Sequence, residues 1–430
     1  MLERPLLSHH DGAAFHHRLF VAFVTFLFRQ RFMVLGALCM LGAAGVVFGL
    51  FGRAVPVGTF FLTALSLAAG LGVAFVHFRH VALAVVAMAA PLPGMIAAGP
   101  FAASHGVGML PLLAAYGFAV VTGVIWCAEV LRGLTAGKDR VQAALAIPAR
   151  LVLPAAVAVL AAGLVLGGWL VRLAPGLALG VSVELLAGTL SSLLFVALGA
   201  LALPFSEGAV TEINRAQERR ALRLRLLTQV IAPRWGMSLA GAALVFVVLG
   251  YFGVEPLLAK GSILAKPAYW AGSALLVFLG GLAVGRGWRD ALAVTLALTM
   301  QTLLGLWLWG IAVGHLTMLA LVVAIMTGGV SLTLMLVMVD KARRYRMGGD
   351  APDVARLKAL EDCAVPAIYG CAGVAAAIAP WIVLHGSMAT LAVLFVLASA
   401  ASTIGAPAIT TALETLVRRR FSVEELYGRG

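Results

Sequence analysis

Charge is what this chain has least of. Only 11% of its 430 residues are Asp, Glu, Lys or Arg, 62% are hydrophobic, and the mean hydropathy is +1.04. That excludes a soluble domain, because too few polar side chains remain to cover a surface. Cysteine is nearly as scarce. Cys39, Cys127, Cys363 and Cys371 sit in or beside apolar runs, with no CxxC pair and no histidine at ligand spacing. They read as reduced packing residues, not as a disulfide framework or a zinc site. There is no phosphate loop, no Ser/His/Asp set and no metalloprotease helix, so neither enzyme chemistry nor a cofactor is expected. His9-His10-Asp11 and His16-His17 have metal-binding chemistry but lie in a polar tail, where solvated residues are the plainer reading and no metal site is assigned. No small-residue cleavage pattern follows that tail, which argues against a removable signal peptide.

What the chain does have is apolar length. Runs long enough to cross about 30 Å of hydrocarbon, roughly 20 residues each, fall near 32–52, 58–78, 81–103, 108–131, 151–171, 176–203, 235–253, 268–286, 291–313, 315–339, 365–385 and 387–413. Spanning strands would show alternation, and continuous apolarity predicts helices. The expected fold is an all-α integral membrane protein of twelve spans. Lys and Arg set its orientation. With twelve spans, 27 of the 31 basic residues fall on one face, and only Arg53, Arg172, Lys260 and Lys266 on the other. Positive charge is retained on the cytoplasmic side, so both termini are predicted cytoplasmic. The +13 net charge then faces the inner leaflet and implies membrane lipid, not nucleic acid, as its partner.

The two halves carry the same design. Phe78-Arg79-His80 is a minimal hinge between two apolar runs, Gly106 opens another, and that run ends at Leu131-Arg132. Trp288-Arg289-Asp290, Gly314 and Val339-Asp340-Lys341 repeat this pattern. The offsets are 210 residues at the hinge and 208 at the glycine, then 218 from Pro148 to Pro366. A near-constant offset argues for duplication, and its jump marks about ten extra residues in the second basic loop. The organisation read from this is two parallel six-helix repeats, at 32–204 and 235–417. They are flanked by a tail with an interfacial helix at 1–31, a basic amphipathic linker helix at 205–234 and a tail at 418–430.

Phe28-Arg29-Gln30-Arg31-Phe32 leads into span 1 as Arg234-Trp235 leads into span 7; tight hinges follow spans 2 and 8, and basic loops follow spans 4 and 10. This organisation resembles the transmembrane core of the resistance-nodulation-division (RND) superfamily, especially its MmpL-type lipid-exporter branch. The resemblance implies a bacterial inner-membrane protein acting on an apolar or lipid-like substrate. It also implies porter domains between spans 1 and 2 and between spans 7 and 8, where this chain has only Gly52–Gly58 and Val254–Pro267. The family's coupling carboxylates would lie mid-span in spans 4 and 10. Those stretches read Val121-Thr122-Gly123-Val124-Ile125-Trp126 and Thr327-Gly328-Gly329-Val330-Ser331-Leu332-Thr333, without an acidic residue.

Few polar residues remain to carry a function, and each is costly in a bilayer. Glu184 lies about two turns inside span 6 from its outer end, with Arg172 the nearest preceding cation. Thr299 and Gln301 in span 9, and Thr327, Ser331 and Thr333 in span 10, form a candidate polar path, although hydroxyl stripes also serve packing. Thr122 and Gly123 are expected opposite Thr327, Gly328 and Gly329 at a central seam where small residues let two helices approach. Glu129 and Asp340 read as headgroup anchors beside Arg132 and Lys341, and Pro91, Pro93 and Pro100 as breaks in span 3 without counterparts in span 9. His105, His315 and His385 sit at outer turns. The favoured reading is an RND/MmpL-like protein handling an apolar or lipid-like substrate. The alternative is a non-transporting subunit that binds lipid or a periplasmic or membrane partner protein; oligomer formation is open under either.

Overall fold

The computed structural model describes residues 57–137, 143–144, 151–170, 175–202, 238, 241–257, 266–313, 316, 318–384, 386–387, 389–399, 406 and 409. The described secondary structure is helical throughout. In chain order the helices are α1 (Val57–Phe78), α2 (Val81–Ala89), α3 (Leu92–Ser104), α4 (Met109–Thr135), α5 (Val152–Leu170), α6 (Pro175–Ala202), α7 (Gly241–Leu257), α8 (Pro267–Gly285), α9 (Trp288–Val313), α10 (Met318–Met347), α11 (Pro352–Ile378) and α12 (Ala389–Ser399). Seven stretches among the described residues are long and apolar enough to cross a membrane: Val81–Ser104, Pro111–Thr135, Pro175–Gly199, Pro267–Gly285, Trp288–Ile311, Ala320–Met347 and Val354–Leu384. Large apolar side chains stand exposed on the outer faces of these and the shorter helices, among them Leu160, Phe252, Leu279, Ile311 and Leu394, as a lipid-facing surface requires. Span 1, the interfacial helix in 1–31, the linker helix at 205–234 and the tail at 418–430 lie outside the described residues.

Helix ends follow local chemistry. Pro175, Pro267 and Pro352 stand at the first positions of their helices, where a missing N–H costs nothing. α1 and α8 both stop on an arginine in the left-handed region, Arg79 at φ 53° and Arg286 at φ 55°. Each sends its N–H back to the preceding turn, to Phe75 O at 2.7 Å and Leu282 O at 2.9 Å. Such a conformation costs a non-glycine residue about 1–2 kcal/mol, so its recurrence 207 residues apart is informative. The sequence matched Arg79 to Arg289 instead. The left-handed turn falls at Arg286, and α9 already begins at Trp288 and takes Trp288-Arg289-Asp290 as its first turn.

A second correction concerns span 11. It was expected to begin near residue 365, after the second basic loop. Helix α11 instead runs unbroken from Pro352 through Pro366 to Ile378. An internal proline removes one hydrogen bond, and packing compensates for that here: Ala355, Ala359, Leu360 and Cys363 are all buried on the stretch before it.

The centre of the bundle is α4 beside α10, which pack against each other. In each, 94% of the most apolar 18-residue window is buried. Around them, α4 touches α2, α6 and α11, and α10 touches α5, α8, α9 and α11. α1 leans on α11, and α8 leans on α5.

Candidate functional site: a cavity beside a broken helix

Span 3 is interrupted where its prolines predicted. α2 ends at Ala89 and α3 restarts at Leu92, while Pro100 is carried inside α3. A break frees backbone groups that lipid cannot satisfy. Two side chains from neighbouring helices take them up with three hydrogen bonds. Ser191 Oγ donates to Ala90 O at 2.7 Å and accepts from Gly94 N–H at 3.1 Å. Tyr116 Oη donates to Met88 O at 2.9 Å. The approach of α6 depends on glycine: a Cβ on Gly94 would stand 2.2 Å from Ala187 O.

Next to this break lies a cavity of about 190 Å³ between α1, α3, α4, α6 and the end of α11. Its wall is almost wholly apolar, with Leu67, Leu92, Ile96 and Leu112 half-buried, so it reaches the flank of the bundle. Glu184 points into it. The residue is fully buried, and neither carboxyl oxygen has a hydrogen-bond partner among the described residues. Buried Ser66 Oγ in the same wall is likewise unpaired. The expected pairing of Glu184 with Arg172 falls on a residue outside the described set.

A smaller cavity of about 80 Å³ lies between α5, α8, α9 and α10, lined by Trp270, Ser273, Thr299, Thr302, Gly328 and Gly329 among others. It has no carboxyl. Thr302 Oγ1 donates to Leu298 O and Ser273 Oγ to Tyr269 O, both at 2.9 Å and within their own helices.

The remaining expected polar residues divide. Gln301 and Ser331 are brought together: Ser331 Oγ donates to Gln301 Oε1 at 2.8 Å, and Gln301 Nε2 to Ser399 Oγ at 3.3 Å. Ser399 Oγ reaches Thr327 O at 3.3 Å, which closes a buried knot of α9, α10 and α12. Thr327 and Thr333 contribute no side chain to it, since their hydroxyls bond Val323 O and Gly329 O on their own helix. Thr299 faces the smaller cavity, apart from the knot, so these residues do not form one continuous path.

The seam residues also separate. Thr122 bonds Phe118 O on its own helix. Gly123 faces Ala87 O, Val196 and Ser192, and Gly328 faces Leu298 and Thr302. Only Gly329 meets α4, where an added Cβ would stand 2.9 Å from the Phe118 ring. Successive residues on a helix point about 100° apart, so one seam cannot hold both glycines of a pair.

At the other end of α4 and α10 an ion network was only half anticipated. Glu129 pairs with Arg132 and, across the interface, with Lys341. Asp362 of α11 accepts from Tyr345 at 2.6 Å and faces Arg132 at 3.2 Å, while Asp340 holds Arg344. Asp362 and Tyr345 carried no sequence signal beyond their presence in a basic loop. Asp290, in the first turn of α9, is buried against Arg346 at 2.9 Å. His105 Nδ1 lies 2.8 Å from Phe101 O at its own helix end, and His315 and His385 lie outside the described residues. Cys127, Cys363 and Cys371 are buried free thiols.

This arrangement has a known counterpart among solved structures. The chain superposes on a crystal structure of SecDF in a super-membrane-facing form with a TM-score of 0.57, at 12% identity over 86% of this chain and 63% of that one. It superposes on SecDF from Thermus thermophilus, a translocon-associated membrane protein, with a TM-score of 0.58, at 14% identity over 84% and 62%. The fold is SecDF-like. The chain spans somewhat less than two thirds of the length of the SecDF structures it matches. No family model matches the sequence, and no curated protein does.

Proposed function

We propose that this chain is a bacterial inner-membrane protein of RND type, with both termini cytoplasmic, that takes an apolar or lipid-like substrate into the cavity beside the broken span 3. The observation that carries the reading is that cavity: about 190 Å³, apolar, extending to the flank of the bundle, with one buried carboxyl directed into it. A space many times larger than one water needs, walled by Leu, Ile, Met and Trp, suits an acyl or other hydrocarbon body better than an ion. The RND reading takes the bundle as two parallel six-span repeats. Features at a common spacing support that: left-handed arginines at 79 and 286, and a serine donating to the neighbouring central helix at Ser192 to Ala119 O and Ser399 to Thr327 O. The centres of α4 and α10 carry hydroxyls and glycines where the family's relay would place carboxylates, so the proposed handling is uncoupled from protons at that site. No enzymatic step is proposed.

A photoactivatable long-chain alcohol, which carries no charge to oppose Glu184, tests the cavity reading. Its label is expected on peptides of α3 and α6 around Leu92–Gly99 and Glu184, and Gly99→Phe, which fills the space, is expected to remove it. Label confined to other helices would rule the cavity out. The second reading, a non-transporting subunit bound to a partner, draws on the description of the Thermus SecDF as translocon-associated. Lipid transfer by the purified chain alone in vesicles would eliminate it.

A further inference from the structure

The cavity reading leaves the head group of the substrate unassigned, and the chemistry of the wall supplies it. We infer that the Glu184 cavity selects an amphiphile carrying a primary ammonium group. The inference rests on the apolar-substrate reading and narrows it.

Three observations converge. Glu184 is fully buried in α6 with both carboxyl oxygens unpaired among the described residues, and no other lining side chain carries a charge. A carboxylate in such surroundings is costly unless a cation and hydrogen-bond donors reach it. Ser66 Oγ, also buried and unpaired, lies across the same cavity on α1 and offers a further acceptor. A primary ammonium has three N–H donors, enough for two carboxyl oxygens and a hydroxyl. Gly99 faces the carboxyl across this space: a Cβ there would stand 4.0 Å from Glu184 Oε1. The remaining wall, including Met95 and Trp381, is hydrocarbon and aromatic and would hold the apolar body.

The smaller cavity gives the contrast. It is similarly apolar, but its polar lining is Ser273, Thr299 and Thr302, with no carboxyl. Of these two apolar cavities, only the one beside the broken span has a carboxyl in its wall. The ammonium could be that of a single-chain amine or of an aminophospholipid head group, which share this chemistry.

The test compares dodecylamine with dodecanol, both below their aggregation limits, by thermal stabilisation of the full chain in detergent. The amine is expected to act at about tenfold lower concentration or less, and Glu184→Gln should erase that advantage while leaving the alcohol response. Equal potency in the unmodified protein, or an advantage that survives Glu184→Gln, overturns the ammonium assignment and leaves the apolar cavity standing. No response to either overturns both. The comparison in the unmodified protein decides the matter even if the variant fails to fold. A bromine-labelled alkylamine should quench tryptophan emission less in Trp381→Phe than in the unmodified protein; unchanged quenching places the amine elsewhere and overturns the assignment. Nanodiscs of phosphatidylethanolamine against phosphatidylcholine then separate the two sources. Competition with dodecylamine by the former alone assigns the lipid head group, and competition by neither assigns the single-chain amine.

Discussion

At the residue scale, the molecule depends on a few side chains that satisfy polar atoms where water is absent. Ser191 serves two backbone groups freed by the break in span 3, the carbonyl of Ala90 and the N–H of Gly94. Leaving a buried donor and acceptor unmade costs about 1–3 kcal/mol. Ser191→Ala is therefore expected to lower the thermal midpoint in detergent clearly. Ser182→Ala, whose hydroxyl only duplicates a bond to Ala178 O within its own helix, should change stability by about 0.5 kcal/mol or less. Equal losses in the two variants would mean that Ser191 does not hold the break. Ser191 was legible in sequence only as a polar residue in an apolar run. Its role depends on Ala90 and Gly94, roughly a hundred residues away.

At the element scale, α4, α10 and α11 are joined by charge as well as by packing. Glu129 and Lys341, on different central helices, are each about one-tenth exposed, so the pair is sheltered from the solvent that weakens surface ion pairs. In a cycle of Glu129→Gln, Lys341→Met and the double variant, the coupling is expected to be about 1 kcal/mol or more, read from unfolding in mixed micelles. Additive losses would show that α4 and α10 are held by packing alone. Sequence adjacency suggested Glu129 with Arg132 and Asp340 with Lys341. Glu129 does hold Arg132, but Lys341 crosses to Glu129 because α4 and α10 lie side by side, and Asp340 takes Arg344 one turn along its own helix instead.

At the scale of the whole molecule, the proposed orientation rests on the distribution of Lys and Arg. An alkaline-phosphatase fusion after Arg420 is expected to be inactive and one after Arg172 active; the reverse would invert the topology and place the Glu184 cavity in the opposite leaflet. The broken span, the carboxyl-lined cavity and its carboxyl-free counterpart also show that the two sides of the bundle are not chemically equivalent, despite sharing a spacing of about 207 residues.

The sequence by itself determined the helical class, the positions of the apolar runs, the break at Pro91–Pro93 and the presence of a lone acidic residue, Glu184, inside an apolar span. Each follows from local composition: run length, an absent N–H, a charge without neighbours. Only the tertiary structure decided that the left-handed turn of Arg79 recurs at Arg286 and not at Arg289, that Gly329 alone of its pair meets α4, and that Gln301 and Ser331 close a knot with Ser399 that leaves Thr299 outside. Those outcomes depend on helix rotation and register. A rotation of about 100° per residue moves a side chain from one neighbour to another, and nothing in an almost uniformly apolar span marks which way it turns.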